Sequence, residues 1–342
     1  MRAIVKTAAG QGFVELQERS EPAAGTGEVL LEIGAATICG TDVHILAGEY
    51  PCRVPVTLGH EFCGTIVELG AGVSGWAVGD RVTSLPFAIV CGECRYCRAG
   101  EYGLCAARRS YGSGVDGAFA RYLAVKASGL FRLPDHQDFI AGALTEPLAC
   151  VVKAVFEIGA LQPNESVAVI GPGPIGLLTV QAVRAVGCQV TLIGLRQDAG
   201  RIQLGHEFGA ANSFYADEAD SAEMIAASGA DGFDVVFECS GAGRALTTAL
   251  SITRKCGRLI QVGLFGKPVQ ADMDQMVFKD LIMRGSFTSS RSSWRRALEL
   301  TGNGLVNTRP LVSDVFPLSE WQAAFTKATD RSGLKVAFIP RE

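Results

Sequence analysis

The sequence predicts an α/β protein in two parts, a β-rich unit and a doubly wound parallel sheet. Three observations predict it. Short alternating or apolar stretches separated by Gly, Pro and Asp fill the first third. From about Glu146 strand-like stretches alternate with helix-like ones, and a glycine-spaced loop joins the first such strand to its helix. The 342-residue length, 48% of it hydrophobic, suits two cores, because a single core stops growing at about 250–300 residues.

The elements follow in order. VLLEIGAA (29–36), FCGTIVELG (62–70) and FARYLAV (119–125) read as strands, and the first third as all-β with many turns. VAVIGP (167–172) opens the alternating series and runs into a helical GLLTVQAVRAVG. QVTLIG (189–194) leads to a helical stretch ending at Gly209. FDVVFECSG (233–241), GRLIQVGL (257–264) and LIMRGSF (281–287) complete the strands. After about Ser289 come a helix, WRRALELTGNG (294–304), and a β-like tail, VSDVFP (312–317) and LKVAFIP (334–340). No internal repeat or low-complexity linker interrupts the series.

Net charge is −4 with no long run of like charge, which argues against a nucleic-acid footprint or a membrane-surface patch. The longest apolar runs are broken by Gly and Pro and are too short to span a bilayer. MRAIVKTAAG lacks the apolar core of a signal peptide. A cytoplasmic location is therefore expected, with thiols reduced, so the 11 cysteines are not read as a disulfide framework.

CGECRYCRAGEYGLC (91–105) places Cys91, Cys94, Cys97 and Cys105 in a loop with three glycines that let a short chain curl around one ion. Four thiolates bind Zn²⁺ tetrahedrally and fill its coordination sphere, so this zinc is expected to be structural. Four thiolates on Zn²⁺ carry excess negative charge, which Arg95 and Arg98 are placed to offset.

A second, open site is suggested by Cys39 and His60, with Glu61 beside His60 and the later acid Glu146. Ligands from distant points, with one place left for water or substrate, are what a catalytic zinc requires. Taken singly, Cys39 reads as a buried thiol, Glu146 as a helix-start acid and His60 as a turn histidine. Two of only four histidines, His44 and His60, fall in these short motifs, which argues for a set; His136 and His206 have no such context and read as surface residues.

IGPGPIG (170–176) supplies Gly171, Gly173 and Gly176, with Pro174 and Ile175 opening the helix. The G-x-G-x-x-G pattern gives a tight turn, close approach of backbone to a pyrophosphate, and close helix–strand packing. The second strand ends at Gly194, where an acid normally holds the ribose 2′-hydroxyl of NAD. That absence, with Arg196 two residues on, favours NADP slightly over NAD; Asp198 could reach the ribose if its loop folds back.

Together these motifs resemble the zinc-dependent medium-chain alcohol dehydrogenases, in the branch with sorbitol and threonine dehydrogenases, over essentially the whole chain. The zinc signature matches at Gly59, His60, Glu61, Gly64, Gly70 and Val73, and the Glu146-Pro147 pair is similar to the polyol-dehydrogenase branch. The resemblance implies a GroES-like catalytic domain (1–148, with the return segment 289–342) around a Rossmann domain (149–288). It implies zinc ligation by Cys39, His60 and Glu146, with Glu61 binding in some states. Thr41 would take the substrate proton, His44 would pass it to solvent by way of the nicotinamide ribose, and Asp42 would orient the histidine ligand. One catalytic and one structural zinc, a small alcohol or ketone substrate, and a homotetramer or homodimer are implied likewise. Cys63, at a position the signature leaves free, is given no role, and Tyr50 and Arg291 are only guessed to reach the pocket. A zinc-free quinone or enone reductase and a non-catalytic dinucleotide-binding protein are the rival readings.

Overall fold

The computed structural model describes residues 1–341. Two compact units divide the chain. One comprises Met1–Pro147, Ser290–Gly302 and the segment from Asn307 onward; the other comprises Leu148–Ser289 and Asn303–Val306. Among the described residues no helix is long and apolar enough to cross a membrane, and no disulfide joins any of the eleven cysteines.

The first unit is built on a seven-stranded sheet whose hub is Glu28–Thr37. EVLLEIGAAT buries seven of its ten residues and exposes none because the strand has neighbours on several sides. Glu61–Leu69, Tyr122–Lys126 and Lys335–Phe338 all pair with it antiparallel. Leu130–Arg132, Arg81–Ser84 and Val312–Phe316 complete the sheet. A three-stranded sheet (Val14–Glu18, Arg2–Lys6, Val56–Thr57) and a two-stranded ribbon (Phe87–Ile89, Arg109–Ser110) flank it. The core joins Leu31, Ile33, Phe62, Phe119, Phe325 and Phe338. Phe119 meets Phe338 edge to face with centroids 5.0 Å apart, the geometry aromatic pairs favour.

This unit is less purely β than its sequence suggests. Helices lie at Gly40–Leu46 and Phe139–Ala143, the helix Thr145–Val152 starts at its boundary, and Trp321–Thr329 separates the two strands of the tail. The short ones span too few turns to display a helical period, which leaves no apolar stripe to read.

The second unit is a six-stranded, wholly parallel sheet in the order Asn212–Tyr215, Gln189–Gly194, Ser166–Ile170, Phe233–Glu238, Thr253–Gln261, Ile282–Gly285. SVAVI and FDVVFE are apolar runs because central parallel strands are buried on both faces. Asn212–Tyr215 escapes a sequence reading because it is an edge strand with no fully buried residue. The strand order reverses between Ser166–Ile170 and Phe233–Glu238. Ligands of open parallel sheets bind at such a switch point, beyond the carboxyl ends of the strands.

Candidate active site

The hub strand Glu28–Thr37 ends two residues before Cys39, whose extended backbone (φ −99°, ψ 160°) starts the helix Gly40–Leu46. Glu61 opens its own strand directly opposite Thr37. The pairing register therefore brings ligand atoms of Cys39, His60 and Glu61 within 4.8 Å of one another. Asp42, fully buried in the first helical turn, joins them. Its carboxylate accepts from the Cys39 amide at 2.9 Å and the Gly59 amide at 3.3 Å, and lies 3.8 Å from His60 Nδ1. One acid thus fixes the backbone at Cys39 and beside His60. An imidazole whose Nδ1 faces a carboxylate presents Nε2 to a metal.

Sequence reasoning missed the cation of this cluster, Lys335, because LKVAFIP reads as an ordinary strand. Lys335 is buried, and its ammonium donates to the Ile38 carbonyl at 3.0 Å and to Glu61, whose carboxylate also accepts from Thr37. Burial acts to lower the Lys335 pKa, but Glu61, Cys39 and Glu146 outweigh it and the pKa is raised. His60 behaves alike: burial opposes its charged form, yet Asp42, Cys39 and Glu146 raise it well above the usual imidazole value. Burial raises the Asp42 carboxyl. The pocket is rich in anions and attracts positive charge, and thiolate, imidazole and carboxylate are ligand types zinc accepts. The residues fit such an ion.

Glu146, read from the sequence as an acid of this cluster together with Glu61, lies near enough for its charge to reach it. It sits buried in the helix Thr145–Val152, and its charge acts on both His60 and Lys335. The tight triplet, however, contains Glu61 and not Glu146. Thr41 Oγ1 is 3.8 Å from Cys39 Sγ, and exposed His44 holds Nδ1 2.7 Å from Glu49. Arg291 donates to the Ser128 carbonyl and lies over the Phe131 ring, and Tyr50 packs against the β core. His136 and His206 are exposed. Cys63 donates its buried thiol to the Phe139 carbonyl, and burial pushes its pKa up.

The ligand atoms of Cys91, Cys94, Cys97 and Cys105 also lie within 4.8 Å of one another. Backbone amides point at the sulfurs: Cys94 N–H to Cys91, Cys97 N–H to Cys94 and Cys91 N–H to Cys105, each at 3.4 Å. The amides of Cys94 and Glu93 pull the Cys91 thiol down to about 6, whereas burial pushes Cys97 up to about 12. Arg95 turns to the Tyr96 hydroxyl, and Arg98 to the Glu93 carbonyl. Four protein ligands leave no open position, so this is a structural site.

In the parallel-sheet unit, Gly171 turns with φ +102°, and a Cβ there would sit 2.8 Å from Ser240 Cβ. A Cβ on Gly176 would meet the Gly171 carbonyl at 1.9 Å. Gly173 starts the helix Pro174–Val186 with Pro174 in its first turn, and nothing would lie within 4 Å of its Cβ. That open space suits the approach of a phosphate to the helix N-terminus. Ile175 continues the first turn, its carbonyl accepting from Thr179. Gly194 is buried, and a Cβ would press on Pro172 at 2.9 Å and Ile202 at 3.1 Å. An acid cannot stand at 194 unless Pro172 moves. Asp198 accepts from the Leu195 amide at 3.0 Å, which commits it to its own turn. The Arg196 guanidinium lies over the Tyr215 ring, 3.7 Å from Glu218, and the Arg196 amide donates to Asp217.

Residues 25–135 match the family described as Alcohol dehydrogenase GroES-like domain, and residues 174–303 match Zinc-binding dehydrogenase. A sorbitol dehydrogenase of Halalkalibacterium halodurans is 39% identical, covering 99% of both chains. A D-arabitol-phosphate dehydrogenase of Enterococcus avium is 35% identical over 98% of this chain and 96% of that protein. A zinc-binding dehydrogenase structure from Sinorhizobium meliloti, bound to NADP, superposes with TM-score 0.91 at 33% identity over 99% of each chain. With matched domains covering most of the sequence and full-length relatives of this identity, the chain belongs to the zinc-dependent medium-chain dehydrogenases, an alcohol and polyol dehydrogenase family built of a GroES-like and a Rossmann domain.

Proposed function

We propose that the protein interconverts a secondary alcohol of a polyol, sugar alcohol or hydroxy amino acid with its ketone, using a nicotinamide dinucleotide. One observation carries the reading: the Cys39 thiol meets the imidazole and carboxylate of the neighbouring pair His60 and Glu61, all three ligand atoms lying within 4.8 Å of one another, a donor set of the kind zinc accepts. Cys39 and His60 would hold the ion, with Glu61 or Glu146 as the acid. A zinc ion there supplies Lewis acidity that lowers the pKa of an alcohol, and a nicotinamide supplies the hydride chemistry.

The chain's own residues manage the proton and the fit. Thr41 Oγ1, beside Cys39 Sγ, receives the hydroxyl proton. His44 releases it to solvent, and with Nδ1 engaged by Glu49 its free nitrogen for the task is Nε2. Asp42 keeps the Cys39 backbone and the His60 ring in place. For the dinucleotide, Gly171, Gly173 and Gly176 shape the phosphate loop. The crowding at Gly194 together with Arg196 over the Tyr215 ring favours a 2′-phosphate, hence NADP. The NADP-bound structure from Sinorhizobium meliloti and the sugar-alcohol relatives support both halves of this reading.

The test is a 340 nm screen of polyols, polyol phosphates and threonine with NAD and NADP in separate series, beside elemental analysis. Turnover of a polar secondary alcohol, faster with NADP, and two zinc ions per chain are expected. One zinc or none, with reduction of enones or quinones instead, would overturn the metal mechanism.

A further inference from the structure

Glu238 closes the strand Phe233–Glu238 on the far side of the switch point from the glycine loop. It is fully buried and has no cationic partner among the described residues. Donors surround it instead. Oε1 accepts from the Ser240 amide at 2.7 Å, the Ser240 hydroxyl and the Gly241 amide at 3.1 Å. Oε2 accepts from the Gly241 amide at 3.0 Å and the Gln261 side-chain amide, which also donates to the Gly263 carbonyl. The Glu238 carbonyl in turn accepts from the amides of Val262 and Gly263, both at 2.9 Å.

A buried carboxylate without a cation is stable only when its lone pairs are filled, and bonds to a charged acceptor are about twice as strong as neutral ones. The price of removing any donor is therefore high, and the two turns beyond Glu238 are pinned to it. They are also pinned to the dinucleotide loop. The Cys239 amide donates to the Ile170 carbonyl at 2.9 Å, and Ser240 occupies the space a side chain at Gly171 would need. A Cβ on Gly263 would strike the Gly241 nitrogen at 2.2 Å. Three turns at the carboxyl ends of three adjacent strands thus share one anchor.

We infer that Glu238 is a positioning residue for the dinucleotide, fixing the Ser240–Gly241 and Val262–Gly263 turns as the second wall of the crevice whose first wall is Gly171–Gly173. This rests on the dinucleotide reading above. Its carboxylate does not touch the reacting atoms; it acts through the backbone it holds.

Glu238→Gln turns an amide NH₂ toward donors that need an acceptor. Gln261→Met leaves the carboxylate and removes its side-chain tie to the third strand, together with the bond that side chain makes to the Gly263 carbonyl. Dinucleotide affinity is measured by NADPH and NADH fluorescence in the metal-loaded protein, beside KM for alcohol and coenzyme, zinc content and thermal midpoint. Glu238→Gln should weaken dinucleotide binding about tenfold or more and Gln261→Met about threefold, as expected for losing charge-assisted bonds, with alcohol KM and both zinc ions kept. A lower thermal midpoint with unchanged coenzyme affinity in the folded variants would assign Glu238 a merely structural role and overturn the inference. If Glu238→Gln fails to fold, Gln261→Met decides alone: unaltered coenzyme affinity overturns the proposal. Failure of the unsubstituted protein to bind either dinucleotide would instead sink the dinucleotide reading itself.

Discussion

The two metal-ligand clusters compensate their negative charge by opposite means. In the Cys91–Cys105 lobe the anions come from one short loop, two of the four thiols are buried, and the arginines beside them are exposed and turned to Tyr96 and to the Glu93 carbonyl. Water screens such cations, so they do little for the sulfurs. Around Cys39 the anions arrive from remote strands and helices, and the fold brings its own buried cation, Lys335. The lobe's sulfurs are oriented by amides of their own loop. The assembled cluster is held by protein groups from other elements, Asp42 on the backbone at Cys39 and Gly59 and Lys335 on Glu61.

The largest expected effect breaks the comparison at its chemical end. Cys39→Ser should remove one of two zinc ions and lower kcat by about a thousandfold or more, as loss of a Lewis acid worth several kcal/mol implies. The thermal midpoint should move little, because Asp42 and Lys335 still organise the pocket. Full activity in that variant, by steady-state kinetics, would refute the metal mechanism. Cys97→Ser should do the reverse. Losing a structural metal ligand is expected to cost about 4–5 kcal/mol of stability, read by denaturant unfolding, while activity per folded molecule stays near normal. Equal stability losses in the two variants would erase the distinction.

What could be read beforehand follows the same division. The four cysteines were legible because thiolate spacing within one loop is a local pattern. Cys39, His60 and Glu61 were legible through a short motif, and the parallel sheet through apolar runs alternating with helices. Lys335 and Glu238 were not. Each lies in a strand whose neighbouring residues give no sign of a buried charge: Lys335 meets a strand from the other end of the chain, and Glu238 is enclosed by a turn of its own and by Gln261 of the next strand. The room denied to an acid at Gly194 likewise depends on Pro172 and Ile202 from other elements. The helix Gly40–Leu46, carrying Thr41, Asp42 and His44, hid in a stretch read as all-β because it has only seven residues.

Lys335→Met sharpens the contrast by making the assembled site resemble the lobe. Removing one partner of a buried ion pair typically costs about 3–5 kcal/mol, since the remaining charge is left uncompensated. Here the remaining charge is Glu61. The metal-free variant should lose that much stability, and added zinc should restore part of it by giving Glu61 another cation. Unfolding curves with and without zinc test this. Were the variant as stable as the parent without metal, the built-in cation would not be what supports the pocket.

Asp42→Asn is the mildest cut. Asparagine keeps one oxygen for one of the two backbone amides, but its NH₂ faces the other and no longer matches the His60 ring. Groups that orient a metal ligand are worth about 10–100-fold in metal affinity. Zinc competition with a chelator should show a loss near the lower end of that range at the Cys39 site and none at the lobe, whose sulfurs are oriented by amides of their own loop. The lobe serves as an internal control: if both ions loosen together, Asp42 supports the fold of the whole unit rather than one pocket, and the separation drawn between the two clusters fails.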